Sequence, residues 1–236
     1  MISYLKSAIR TYLERRLGVP RIKLAMERLA RQGFSPPTIF DVGAYQGEYA
    51  QICLDIWPDS QILCFEPQAE AVDQLKQRLN DQVDVYPILL GSEKKRSVVL
   101  HEAETASSVL QEHIDQSHPT SEYTMKTVDS VVKADLGGQP PDLLKLDVQG
   151  YELEVLRGAD TSLNQVQCIL MEVNLLDIHQ NVPLLAEITE WLRKRGFVAY
   201  DICGLTRRPL DDALWQADMI FVSKESTLRA DKRWGK

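Results

Sequence analysis

No uninterrupted apolar run in the 236 residues approaches the roughly 20 that a membrane-spanning helix needs. The first residues carry no apolar signal core followed by a small-residue cleavage site. The four cysteines, Cys53, Cys64, Cys168 and Cys203, never pair as C-x-x-C. That excludes the usual zinc and dithiol spacings and leads us to expect reduced, buried thiols in a cytoplasmic protein. No Gly-Lys-Ser/Thr follows a glycine turn, so there is no nucleotide P-loop. Net positive charge is absent too: −7 overall argues against a surface that coats nucleic acid. Internal repeats and low-complexity tracts are missing.

What charge there is sits unevenly. Residues 1–34 hold eight Lys or Arg against Glu14 and Glu27, a net +6, which leaves −13 for the remainder. Ile2, Leu5, Ile9, Tyr12 and Leu13 fall on one helical face, and Ile22, Met26 and Leu29 on another, with Gly18-Val19-Pro20 between. Two readings follow. The prefix either rests on an anionic membrane as a basic amphipathic element, or covers the domain or a second copy of the chain in a homodimer.

Pro36-Pro37 divides a basic helical prefix (1–35) from a main domain (36–225), with a short tail (226–236). In the main domain strand and helix patterns alternate. Strands are expected at Thr38–Val42, Gln61–Phe65, Val83–Leu90, Leu143–Val148 and Gln167–Val173. Helices are expected at Tyr49–Ile56, Gln68–Leu79, from about Tyr151, and at Pro183–Arg195. Phe197–Ile202 and Asp218–Val222 have no helix between them and read as an antiparallel hairpin at one edge. The alternation implies an α/β fold, a mostly parallel sheet with helices on both faces. Residues 91–141 interrupt it and read as an insertion over one end of the sheet.

Ligands of open parallel sheets bind outside the carboxyl ends of the strands. The first such turn is Asp41-Val42-Gly43-Ala44-Tyr45-Gln46-Gly47. A dinucleotide fingerprint needs G-x-G-x-x-G, whereas this turn has an acid first and then G-x-x-x-G, so a phosphate is not its ligand. An acid at the strand end suits a positively charged ligand. S-adenosylmethionine carries an ammonium and a sulfonium and no phosphate. Gly43 and Gly47 allow close backbone approach, and the helix start can receive a carboxylate. Glu66, in Cys64-Phe65-Glu66-Pro67, is placed to accept both ribose hydroxyls.

The chemistry end follows the fourth and fifth main strands. Asp147 emerges at the end of Leu143–Val148, and Glu172 and then His179 follow on and after the next strand. Together they are candidates to orient and deprotonate a hydroxyl nucleophile. His101, His113 and His118 in the insertion are further candidate bases. A divalent metal on Asp147, Glu172 and a histidine has no supporting spacing, and no metal is expected.

These stretches resemble the FkbM-type S-adenosylmethionine-dependent methyltransferases. The likeness rests on "FDVGAYQGEYA", "CFEP", "TVDS" at Thr127–Ser130, "LLKLDVQGYELEVLRGA" at Leu143–Ala159, and "ILMEVN" at Ile169–Asn174. Lys145, Asp147, Gly150 and Glu152 lie in its most distinctive block, and Ser107-Ser108 resembles a Ser-rich motif of the family. The resemblance implies a Rossmann-like class I methyltransferase fold, a seven-stranded sheet with an antiparallel edge strand. It implies that Asp41, Gly43, Gly47 and Glu66 contact the cofactor, with Ala44, Pro67 and Gly91 completing the expected set. It implies O-methylation of a sugar, glycan or other small natural product. The sequence departs from the family at Tyr45, where Asn is usual, and at Gln149, where Glu is common.

Alternatives stay open: a non-catalytic nucleoside-binding or membrane-associated module, or methylation of a different acceptor atom. A nucleic-acid enzyme is disfavoured because Asp147-Val148-Gln149-Gly150 stands where an Asn/Asp-Pro-Pro-aromatic motif belongs, and the acidic body repels phosphates.

Overall fold

The structure is a computed structural model that describes residues 17–101, 107–110 and 119–235. The apolar face from Ile2 to Leu13, and His113 and His118, lie outside the described residues. Helix α1 is Ile22–Arg31. Strand β1 (Thr38–Val42), helix α2 (Glu48–Ile56), strand β2 (Gln61–Phe65), helix α3 (Ala69–Leu79) and strand β3 (Asp84–Tyr86) follow. Then come β4 (Leu89–Leu90), β5 (Lys95–His101), β6 (Thr120–Lys126), α4 (Val128–Asp135) and β7 (Leu143–Leu146). The chain closes with α5 (Glu152–Arg157), β8 (Cys168–Asn174), α6 (Leu185–Lys194), β9 (Phe197–Arg207) and β10 (Leu214–Ser223).

Seven strands form the main sheet in the order β3-β2-β1-β7-β8-β10-β9, and β4, β6 and β5 form a small second sheet. The main sheet is parallel except for β10, which runs antiparallel to both β8 and β9. β7 shows no inside-outside alternation: all four of its residues are buried, as a central strand covered on both faces requires. Met26 and Leu29 of α1, Ala50 and Cys53 of α2, and Leu75 and Leu79 of α3 cover one face. Val128 and Val131 of α4, Leu156 of α5, and Ile188 and Leu192 of α6 cover the other. Met26 is fully buried, so α1 packs into the core of the domain although it precedes Pro36-Pro37.

Three local features differ from the sequence expectation. The strand expected at Val83–Leu90 breaks at Pro87, which has no N–H to give to a ladder, so β4 leaves for the small sheet and pairs with β6. The segment 91–141 is not wholly an insertion: α4 is the crossover helix that returns the chain to β7. It is fixed by a reciprocal cap in which Ser130 N–H donates to Thr127 Oγ1 (3.1 Å) and Thr127 N–H to Ser130 Oγ (3.2 Å). The hairpin does occupy one edge, yet its antiparallel strand lies one position in. β10 is buried along most of its length and takes the protected place, and β9, which alternates with exposed residues, forms the edge.

Among the described residues, no helix is long and apolar enough to cross a membrane. The four cysteines are free and buried.

Candidate active site

The carboxyl ends of β1, β2 and β7 open into a cavity of about 280 Å³. Gly43, Tyr45, Glu66, Lys145, Asp147 and Tyr151 contribute to its wall. The turn after β1 is wound in the left-handed region, with φ +74° at Gly43, +45° at Tyr45 and +81° at Gly47. A side chain at Gly43 would put Cβ 1.8 Å from the Asp147 carbonyl oxygen, so only glycine lets these two loops touch. Tyr45 bears the strain of a non-glycine residue there, and Glu66 holds it. Glu66 Oε2 accepts from Tyr45 N–H (2.9 Å) and Oε1 accepts from Gln68 N–H (2.9 Å). Burial raises the Glu66 carboxyl above its ordinary value, opposed only in part by these two donors.

Lys145 is the cation of the site. It points from a strand whose neighbours are all leucine, and it lies 2.9 Å from Asp41 Oδ1 and 3.6 Å from Asp147 Oδ2. It also donates to the Gly43 carbonyl oxygen at 2.7 Å. Burial works against its charge, but Asp41 and Asp147 outweigh that and raise its pKa. Burial likewise pushes Asp41 up, opposed by Lys145. The pair register explains the contact: Asp41 of β1 sits directly opposite Lys145 of β7.

Beyond Asp147 runs a buried polar row. Asp218 of β10 stands opposite Glu172 of β8, and Gln216 opposite Asn174. Gln149, held at φ +52°, donates through Nε2 to Asp147 Oδ1 (3.1 Å). Its Oε1 accepts from Gln216 Nε2 (3.4 Å), which also donates to Glu172 Oε2. Ser108 Oγ donates to the Gln149 carbonyl at 2.7 Å, which ties the Ser107-Ser108 pair to this block. Glu152 Oε1 accepts from the N–H groups of Val148 (2.9 Å) and Gly150 (3.2 Å), bracing the same turn from the other side. Burial lifts Glu152 to about 7 and Asp218 to about 6, and lifts Glu172 well above the usual carboxylate range, with the Asp147 charge adding to all three.

The Methyltransferase FkbM domain matches residues 41–199, which include most of the sheet. The chain belongs to the FkbM methyltransferase family. It is 26% identical over 170 residues to the hexuronic acid methyltransferase AglP of Haloferax volcanii, covering 68% of each chain. It is 22% identical over 180 residues to the 2-O-methyltransferase NoeI of Sinorhizobium fredii, covering 69% of this chain and 74% of that one. Its fold matches the FkbM methyltransferase structure from Methylobacillus flagellatus with a TM-score of 0.54 at 15% identity, over 80% of this chain. It spans 44% of that protein's length. The chain is therefore a methyltransferase, and its cofactor is S-adenosylmethionine.

Within this FkbM chain the expected cofactor residues divide. Gly43, Ala44, Glu66 and Pro67 line the cavity. Asp41 does not line it: it is fully buried and lies 2.9 Å from the Lys145 ammonium. Gly47 also stands back. Its left-handed φ starts α2, and a Cβ there would meet Leu79 Cδ1 at 2.9 Å. Gly91 is not in the lining either, and a Cβ there would lie 2.5 Å from Met125 Sδ.

Of the expected catalytic residues, Asp147 faces the cavity. Glu172 lies behind it in the polar row, and His179 is buried, 2% exposed, away from the lining. Lys145, Tyr45, Gln149 and Gln216 were not in the expected set. A lysine inside a four-residue apolar strand is a signal for the first, because buried lysines are rare unless paired. Nothing in the sequence marks Gln216, which reaches the site only through the β8–β10 register.

Proposed function

We propose that this chain is an O-methyltransferase that methylates a sugar hydroxyl with S-adenosylmethionine. The observation that carries this reading is the meeting of Glu66 and Asp147 on one cavity, flanking the left-handed turn at Gly43. The residues fit the cofactor. Glu66 keeps lone pairs beyond its two backbone bonds for a pair of ribose hydroxyls, and the glycine at 43 lets the backbone come against a ligand. Glu48, Glu66 and Asp147 make the wall acidic, which favours a ligand with cationic centres.

When bound, S-adenosylmethionine supplies an activated methyl group. The protein's part is to hold the acceptor oxygen in line and to exclude water. Asp147 is held at both oxygens: Oδ1 accepts from Gln149, and Oδ2 faces Lys145 at 3.6 Å. In this reading it orients the acceptor hydroxyl and takes its proton as the new bond forms. The relatives named for acting on a hexuronic acid and on a 2-hydroxyl support a sugar acceptor. Four buried, free thiols fit a reducing cytoplasm.

The test is incubation with methyl-labelled S-adenosylmethionine and a panel of alkyl glycosides, with products read by mass spectrometry. Gain of one methyl on a sugar oxygen supports the reading. Label appearing on no sugar, with cofactor bound, removes it.

A further inference from the structure

We infer that helix α1 forms part of the cofactor site and that Ile22 is a residue the bound cofactor touches. The inference rests on the reading of this cavity as the S-adenosylmethionine site, and it names a wall that the matched domain does not contain. That domain begins at residue 41, whereas α1 runs from Ile22 to Arg31. Ile22 nevertheless lines the same cavity as Gly43 and Glu66, together with Tyr49 and Ile52 of α2. It supplies apolar surface where Glu48 and Glu66 supply charge, the mixture from which small-molecule sites are built.

The helix is anchored at both ends, which fixes where Ile22 stands. Met26 and Leu29, about one and two turns further on, are 0% and 1% exposed and carry most of the docking energy. Beside Ile22, Lys23 pairs with Asp55 of α2 at 3.1 Å, and Met26 Sδ accepts from the Tyr49 hydroxyl at 3.5 Å. At the far end Arg28 pairs with Asp201 of β9 at 2.5 Å, and Gln32 Oε1 accepts from the Tyr200 hydroxyl at 2.7 Å. The ion pairs are partly exposed and add little energy, but they set the direction of the helix.

Tyr49 carries the contact inward. It lines the cavity, meets α1 through its hydroxyl, and has its ring centroid 5.8 Å from the Lys145 ammonium. Lys145 in turn donates to the Gly43 carbonyl oxygen. Two side chains, Tyr49 and Lys145, therefore connect Met26 of α1 to the left-handed turn. A ligand that closes on Ile22 gains that contact only while α1 is docked, so binding and docking stabilise each other.

The experiment has two readouts on the full chain, stripped of cofactor. Calorimetry compares wild type, Ile22→Ala and Ile22→Leu, each titrated with S-adenosylmethionine and with its demethylated product. Ile22→Ala should weaken both ligands roughly fourfold to fifteenfold, the worth of one or two apolar carbons withdrawn from a ligand, and Ile22→Leu should restore most of the loss. Amide hydrogen exchange needs no variant. Saturating cofactor should slow exchange in α1 more than in α6, none of whose residues lines the cavity. An Ile22→Ala affinity equal to wild type, or α1 exchange slowed no more than that of α6, overturns the inference and leaves the site at Gly43 and Glu66 standing. Binding of neither ligand to the wild type overturns the cofactor reading of the cavity, and this inference with it.

Discussion

The Lys145 ammonium lies 2.9 Å from the Asp41 carboxylate, with side chains 8% and 0% exposed and the two residues 104 positions apart in the chain. Taking two charges out of water is costly, and each makes the other tolerable. Removing one partner strands the other. Lys145→Met or Asp41→Asn should therefore lower stability by about 3–5 kcal/mol in urea denaturation. The double replacement should recover most of that loss. A double variant no better than either single one would mean that the pair is not the unit that matters.

Glu66 joins two loops to the cavity. Glu66→Ala on a folded protein should weaken S-adenosylmethionine binding by about 1.5–3 kcal/mol, the value of lost charged hydrogen bonds. Calorimetry reads this directly. Unchanged affinity would take Glu66 out of the site.

Asp218 has a raised pKa, about 6 against an ordinary 3.8, with burial as the main cause. The folded protein then binds a proton more tightly than the unfolded chain does. Its contribution to stability is favourable below about pH 4 and is lost as pH rises to about 6. Glu152, lifted to about 7, extends the same fall to neutrality. Asp218→Asn should thus stabilise the protein at pH 7.5, by on the order of 1–3 kcal/mol, and flatten the decline between pH 4 and 6. Thermal unfolding across that range checks both. Gly204 is a precondition: a Cβ there would stand 1.8 Å from Asp218 Oδ2.

Asp147 and His179 should separate in kinetics. Asp147→Asn should cut kcat by about 10²–10⁴-fold, the usual worth of a positioned proton acceptor, with cofactor affinity little changed. His179→Asn should lower stability and leave kcat per folded molecule near wild type, because the imidazole is buried off the cavity lining. The reverse pattern would reassign the base.

Much of the fold is legible in the sequence because it is written locally. Thr38–Val42 and Gln61–Phe65 are strands to the residue, and the alternation with helices implies the parallel sheet. The places of Gly43, Glu66 and Asp147 follow from strand ends alone. What escapes the sequence is set by contacts between distant segments. That Asp41 stands opposite a buried Lys145 is set by the β1–β7 register. The close packing of Leu79 against Gly47 and of Met125 against Gly91 is likewise set between distant segments. The position of β10 inside the sheet, and with it Gln216 and Asp218, depends on pairing that no local pattern encodes. Pro87 is the exception, a visible break inside an apolar run.

The central claim, that the cavity at Gly43, Glu66 and Asp147 is an S-adenosylmethionine site, is tested most directly by calorimetric titration. Purified, cofactor-stripped protein would be titrated with S-adenosylmethionine, with its demethylated product, and with NAD. The account predicts micromolar binding of the first two and none of NAD. No binding of either nucleoside would contradict it and leave the turn after β1 as scaffold.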